Sequence, residues 1–178
     1  MQEEKILMDI LDAREARALR QKELLKEFKT SLVSFTLNIP GQVKDSPLYR
    51  EIHREGERLL VEKLEKIGVA ILHKERRYKV TGPEFFLLAD KDALELKKLA
   101  MEIEEENPLG RIFDMDVFDK GHNQVSRSSL KRRPRRCLIC NRPAKECIRE
   151  GNHNLEELLK RIEEISKKYF KVSKREEI

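Results

Sequence analysis

The chain has 178 residues, 39% hydrophobic and 40% charged, which is enough for one compact domain with a sizeable core. No apolar run approaches the roughly 20 residues that span a bilayer, and the first residues lead into an amphipathic pattern rather than a signal peptide. One cytoplasmic domain over residues 1–172 is therefore expected, with 173–178 as a frayed tail. The formal net charge is +5, but it is unevenly placed. Arg127, Lys131, Arg132, Arg133, Arg135 and Arg136 occur with no acidic residue among them, which marks a local anion site or basic loop and not a globally basic protein.

Residues 3–28 read as a helix, with Leu7, Leu11, Ala18, Leu25 and Phe28 on one stripe. Arg14 and Gln21 fall on the same stripe, so the helix either covers a polar cleft or lets both side chains reach solvent. Ser31 to Asn38 alternates: Val33, Phe35 and Leu37 point one way, and Ser34, Thr36 and Asn38 the other, as in a half-buried strand. Ser46-Pro47 reads as an N-cap followed by proline at the first helical position. The helix runs to about Ile67, where Gly68 supplies a stop. Val69 to Val80 reads as one or two strands, interrupted near Lys74-Glu75, followed by a turn at Thr81-Gly82-Pro83 and a short strand from Phe85 to Ala89. Asp90 is placed to cap a helix that ends at Asn107-Pro108. Gly110 to Phe118 is a further strand, the following loop holds the basic run and the cysteines, and Asn154 with Glu157 forms a capping box for a last amphipathic helix.

This order suits an α+β fold: one antiparallel or mixed sheet with helices packed on it, plus N- and C-terminal helices. A ferredoxin-like core is the leading topology, and a nucleotidyltransferase-like mixed sheet is its competitor.

The candidate chemistry sits on the strand Gly110 to Phe118. Phe113, Met115 and Val117 share one face, while Asp114 and Asp116 share the other, one pleat repeat (about 7 Å) apart. Two such carboxylates repel and need a compensating charge, either arginines or a divalent metal. Magnesium suits them, since it takes one or two carboxylates and completes its shell with waters and phosphates. The alternative is a solvated edge where the aspartates pair with surface lysines. The basic run offers planar guanidinium groups for phosphate oxygens, or else a solvated loop that contacts nucleic acid nonspecifically. Three cysteines, an odd number, argue against a disulfide framework. Cys137, Cys140, Cys147 and His153 offer a Cys₃His set for structural zinc, against the plainer reading of reduced cysteines packed under a loop. His53, His73 and His122 read as structural or exposed.

Several segments together carry a resemblance. Asn107 to Asp119 (NPLGRIFDMDVFD), Ser126-Arg127 and Pro134 to Cys140 (PRRCLIC) follow Ala13 to Gln21 (AREARALRQ), Ser34 to Pro47 (SFTLNIPGQVKDSP) and Thr81 to Glu84 in order. Over roughly residues 5–155 the chain resembles the apo-citrate lyase phosphoribosyl-dephospho-CoA transferases, also called citrate lyase holo-acyl-carrier-protein synthases. The resemblance implies a nucleotidyltransferase-type enzyme. Its donor would be 2′-(5″-triphosphoribosyl)-3′-dephospho-CoA and its acceptor a serine of the citrate lyase acyl-carrier (gamma) subunit, with release of diphosphate. It implies a catalytic role for Asp114 and Asp116, with magnesium, and donor contacts from Arg111, Ser126, Arg127, Arg135 and Arg136; side-chain direction adds Arg14, Gln21 and Asn38 as cleft residues. Structural zinc stays a separate expectation, and neither membrane nor nucleic acid is an expected partner. The chain lacks a convincing Gly-Ser pair ahead of the aspartates, which nucleotidyltransferases usually carry. The competing functions are a related enzyme with another acceptor and a noncatalytic, zinc-stabilised nucleic-acid-binding module.

Overall fold

A computed structural model describes the backbone of residues 2–140 and 142–176 and the side chains of 5–140 and 142–172; the side chains of the expected frayed tail, 173–178, lie outside the described residues. The elements are α1 (Gln2–Phe28), β1 (Ser31–Leu37), α2 (Pro47–Lys66), β2 (Ile71–Lys79), β3 (Gly82–Ala89), α3 (Ala93–Glu106), β4 (Phe113–Phe118), β5 (Gln124–Val125), α4 (Ala144–Glu150) and α5 (Leu155–Glu176), with a 3₁₀ turn at Ser128–Leu130. No described helix is long and apolar enough to cross a membrane.

The strands form one sheet in the order β2-β3-β1-β4-β5, and every neighbouring pair is antiparallel. A β-α-β-β-α-β succession with β1 between β3 and β4 is the split arrangement of ferredoxin-like folds. The alternation of side chains divides the sheet into two faces. Val33, Phe35, Phe85, Leu87, Phe113, Met115 and Val117 form the main core with Ile52, Leu60 and Leu64 of α2, Leu96 and Ala100 of α3, and Ile162 of α5. The opposite face carries a smaller apolar cluster, in which Leu32, Phe86, Leu88 and Phe118 pack against Leu24 and Leu25 of α1. Only the C-terminal half of α1 has an apolar sheet surface beneath it. Leu7 and Leu11, expected on the buried stripe, are therefore 57% and 42% exposed, and the helix presents Ala13, Gln21, Leu24 and Leu25 inward.

Other boundaries shift for local reasons. β2 runs unbroken through Lys74 and Glu75 with strict alternation of exposed and half-buried residues. It is an edge strand, where charged side chains are well tolerated. β3 begins at Gly82, whose φ of +109° is a glycine conformation, so the turn precedes Gly82 and Pro83 lies at the start of the strand. Asp92, not Asp90, caps α3, accepting from Leu94 N at 2.9 Å and Glu95 N at 3.3 Å. β4 begins at Phe113 because the preceding residues are turns, with Gly110 N bonded to Asn107 O at 2.8 Å and Ile112 N to Leu109 O at 2.8 Å. The seven-residue α4, about two turns long, has no apolar period to announce it. Ser46 caps α2 as expected, accepting from Tyr49 N at 3.1 Å, and the Asn154/Glu157 capping box forms with bonds of 2.9 and 2.8 Å.

Gly56 brings α2 onto the centre of the sheet: a Cβ there would lie 2.4 Å from Phe35 Cζ and 3.2 Å from Phe113 Cε1. Phe35 has no room to yield, because it stacks on His53 at 4.4 Å and meets Phe113 edge-on at 5.5 Å. Gly56→Ala is expected to lower the urea midpoint by the equivalent of about 1–3 kcal/mol despite the better helix propensity of alanine. A midpoint at or above wild type would show that the contact can relax freely.

Candidate active site

β1 and β4 pair so that Ser34 stands opposite Asp116 and Thr36 opposite Asp114. These four polar side chains share the sheet face that α1 covers. Where the apolar contact of α1 ends, a cavity of about 180 Å³ opens, lined by Arg14, Arg17, Thr36, Asn38, Lys44 and Asp114 among others. Arg17 is tied at 2.9 Å to the buried Glu84, which also takes Lys79 at 3.1 Å. Lys44 donates to the Ile39 carbonyl, and burial, with the charge of Arg14 nearby, lowers its pKa. Further along the same face, buried Gln21 donates to Ser34 Oγ at 2.9 Å and meets His122 Nε2 at 3.4 Å, while the His122 ring stacks on Phe118 at 5.2 Å.

The two aspartates sit in unequal settings. The Asp114 side chain is 40% exposed and pairs with Arg135 Nη1 at 3.1 Å. Asp116 accepts from Gln124 Nε2 of β5 at 2.7 Å. Its pKa is raised, first by burial and then by the charge of Asp114, against the opposing pull of Lys97, Gln124 and Arg135.

Beside the pair, β5 matches β4 only at Val117 and Phe118, so the outer edge of β4 at Met115 has no strand to bond. Two side chains of α3 take its place: Glu104 accepts from Met115 N at 3.0 Å, and Lys97 Nζ donates to Met115 O at 2.7 Å. Both are buried, and a buried polar backbone group left unpaired would be costly. Glu104 also accepts from Arg127 and Arg135. Burial lowers the Lys97 pKa, with Glu104 and Asp116 acting against it. The turn before β4 packs on the end of α3 so closely that a Cβ at Gly110 would lie 2.4 Å from the Glu104 carbonyl oxygen.

The remaining expected residues are distributed around this centre. Arg127 reaches Glu105 at 2.8 Å as well as Glu104. Ser126 is exposed and bonds Ser128 Oγ at 2.7 Å. Arg136 is exposed, and its backbone bridges to Pro143. Arg111 lines a second, more apolar cavity of about 390 Å³ with Pro40, Leu138, Leu158, His153 and Asn38. Asn38 borders both cavities. The Arg111 pKa is lowered, first by burial and then by Arg135 and Arg127. Cys137, Cys140, Cys147 and His153 come together with their ligand atoms within 4.8 Å of one another, a set able to hold a metal ion.

The sequence model of the family described as apo-citrate lyase phosphoribosyl-dephospho-CoA transferase matches residues 5–169. The chain belongs to this family. A protein of that name from Citrobacter koseri is 37% identical over 155 residues, covering 87% of this chain and 85% of its own. A Vibrio cholerae O1 protein named "Probable apo-citrate lyase phosphoribosyl-dephospho-CoA transferase" is 38% identical over 164 residues, 92% of each chain. A Streptococcus pyogenes protein of the same printed name is 38% identical over 172 residues, 92% of this chain and 86% of its own.

Within this member of the apo-citrate lyase transferase family, four residues of the centre escaped the reading of the sequence. Arg17 follows Arg14 by three positions and precedes Gln21 by four, so the helical face alone would have placed it. Lys97 and Glu104 lie two turns apart on the stripe of α3 that carries Leu96, Ala100 and Ile103, and charged residues at buried positions are the signal there. Lys44 lies in the Ile39–Ser46 loop, where no periodicity points to it.

The raised pKa of Asp116 has a consequence for stability. A carboxyl that holds its proton more tightly folded than unfolded stabilises the fold below its unfolded pKa, and that stabilisation is lost as pH rises through the folded value. Asp116→Asn is therefore expected to melt above wild type at pH 7, with the difference disappearing as the pH falls below the carboxylate range. Thermal melts at a series of pH values test this, and a variant that melts lower at pH 7 would contradict it.

Proposed function

We propose that the chain transfers the phosphoribosyl-dephospho-CoA group from 2′-(5″-triphosphoribosyl)-3′-dephospho-CoA to a serine hydroxyl of the citrate lyase acyl-carrier (gamma) subunit, with release of diphosphate. The family and the names of its members support the reaction class and the dephospho-CoA group. The observation that carries the chemistry is the pair Asp114 and Asp116 on one sheet face, with Asp114 lining a polar cavity walled by Arg14, Arg17 and Lys44.

In this reading the triphosphate lies in that cavity. Arg14 and Lys44 meet its oxygens, and Arg135, already at Asp114, holds the phosphate nearest the pair. The aspartates fit magnesium: Asp114 opens to the cavity, and the charge of Asp114 burdens Asp116, so a cation relieves both. Bound there, magnesium supplies neutralisation of phosphoryl charge. Zinc would be a separate ion at the cysteines, whose thiolates suit it far better than magnesium. The serine oxygen bonds to the inner phosphorus while the bond from that phosphorus to the bridging oxygen breaks, and diphosphate leaves with the electron pair. With the cation held by the more exposed Asp114, Asp116 is left to accept the serine proton. Asn38 joins the two cavities, and the adenosine next to the triphosphoribosyl group fits the apolar one, whose volume lies within the range of small-molecule sites.

Mass spectrometry of the apo carrier subunit, incubated with donor, magnesium and this protein, is the decisive assay. Wild type is expected to add the prosthetic group to the serine, and a carrier of unchanged mass would overturn the proposal. Asp114→Asn and Asp116→Asn are each expected to slow transfer by at least about 10²–10³-fold with the fold retained. Wild-type rates in either would remove the pair from the mechanism. Arg14→Ala is expected to raise the KM for donor more than it lowers kcat, and an unchanged KM would take Arg14 out of the donor site.

A further inference from the structure

The transfer chemistry makes no use of the cysteines, yet they organise a segment with almost no core of its own. Among the described residues of 126–154, Cys147 is the single buried hydrophobic one. The chain there is nevertheless sharply folded. Cys137 N donates to Arg142 O at 2.8 Å, Ala144 N donates to Arg135 O at 2.8 Å, and Arg136 and Pro143 form a β-bridge. The turn that this hairpin closes contains Cys137 and Cys140 and aims the Ile139 N–H at Cys137 Sγ, 3.4 Å away. α4 then presents Cys147, and Gly151, at φ +61°, reverses the chain. His153 Nε2 thereby comes to 3.3 Å from Cys140 Sγ, and Cys140 Sγ to 3.3 Å from Cys147 Sγ.

A tetrahedral zinc ion with bonds of about 2.0–2.3 Å sets its ligand atoms roughly 3.3–3.8 Å apart. The four donors, all within 4.8 Å of one another, are already near that geometry, and no two of the cysteines are joined as a disulfide. Three thiolates and a neutral imidazole around a dication leave one net negative charge. Arg111 lines the same cavity wall as Cys137, Cys147 and His153, and its Nε is buried without a hydrogen-bond partner, so a cation stands beside the site.

We infer that Cys137, Cys140, Cys147 and His153 bind one structural zinc ion, and that this ion acts as a clamp holding Arg135 against Asp114 and Glu104. As each sulfur binds the metal its thiol proton passes to solvent, and nothing is oxidised or reduced. Arg135 lies two residues before Cys137, and its carbonyl is bonded inside the clamped hairpin. Its side chain bridges Glu104 and, at 3.1 Å, Asp114. Arg135, the residue that meets the phosphate in the proposed function, is thus set in place by the metal. The effect on transfer rests on the function proposed above, whereas the metal site does not.

Elemental analysis of the purified full chain is expected to give one zinc per chain, falling to near zero in Cys140→Ser and His153→Ala. Cobalt substitution is expected to give the intense visible absorption of a tetrahedral thiolate site. Protein that holds no zinc and takes up no cobalt overturns the assignment. Trypsin reads the clamp without any activity assay: stripping the zinc is expected to speed cleavage within 127–136 at least tenfold while the main thermal transition persists. Equal cleavage of loaded and stripped protein overturns the clamp even if zinc is bound. With magnesium restored, stripped wild type is expected to transfer as slowly as Arg135→Ala, and stripping Arg135→Ala is expected to cost nothing more. Stripped protein with the wild-type rate refutes the coupling. If zinc-loaded wild type transfers nothing, the proposed function fails, and metal content and proteolysis still decide the site.

Discussion

Glu104 is the constraint around which the active region is assembled. It is a buried carboxylate at the end of α3, and it bonds Met115 of β4, Arg127 after β5 and Arg135 ahead of the cysteines. A carboxylate in that position is costly unless its lone pairs are all taken, and here the backbone and two guanidinium groups share them. Lys97 completes the arrangement by meeting the Met115 carbonyl. The open edge of β4 is thus sealed by side chains and not by a strand. The price of burying so many charges is offset by their mutual pairing, and the outcome is an arginine, Arg135, delivered to Asp114.

The two faces of the sheet have different work. The face under α2 and α3 is apolar across β3, β1 and β4, with Arg76 of β2 paired to Glu57 of α2 at its margin, and it supplies the stability of the fold. The face under α1 is apolar only near Leu32, Phe86 and Phe118 and polar along Ser34, Thr36, Asp114 and Asp116. α1 follows this division along its own length: leucines meet the sheet at its C-terminal half, while arginines and Gln21 meet the polar half.

Much of this was legible in the sequence because it depends on periodicity. The alternation of β1 and β4 gave the polar face, and Arg14 and Gln21 stood out because they interrupted an apolar stripe. The α+β order, the Ser46 cap and the Asn154 capping box follow from equally local rules. What was not legible depends on contacts between distant segments. The phase of α1 is set by which half of the sheet face is apolar. Lys97 and Glu104 do their work at an edge that exists only because β5 is short. Lys44 approaches the cavity from an irregular loop. Arg127 and Arg135 were expected as phosphate ligands from the basic run and the family resemblance, and the fold shows that both are first of all partners of Glu104.

Because the acids and the core hydrophobics alternate along a single strand, the chemistry is tied to strand alignment. Sliding β4 by one residue would turn Asp114 and Asp116 toward the core around Phe35 and Ile52 and carry Phe113, Met115 and Val117 to the polar face. Insertions and deletions within 113–118 are therefore excluded at any level of local sequence tolerance. The strand is a ruler for the reaction as much as a support for it.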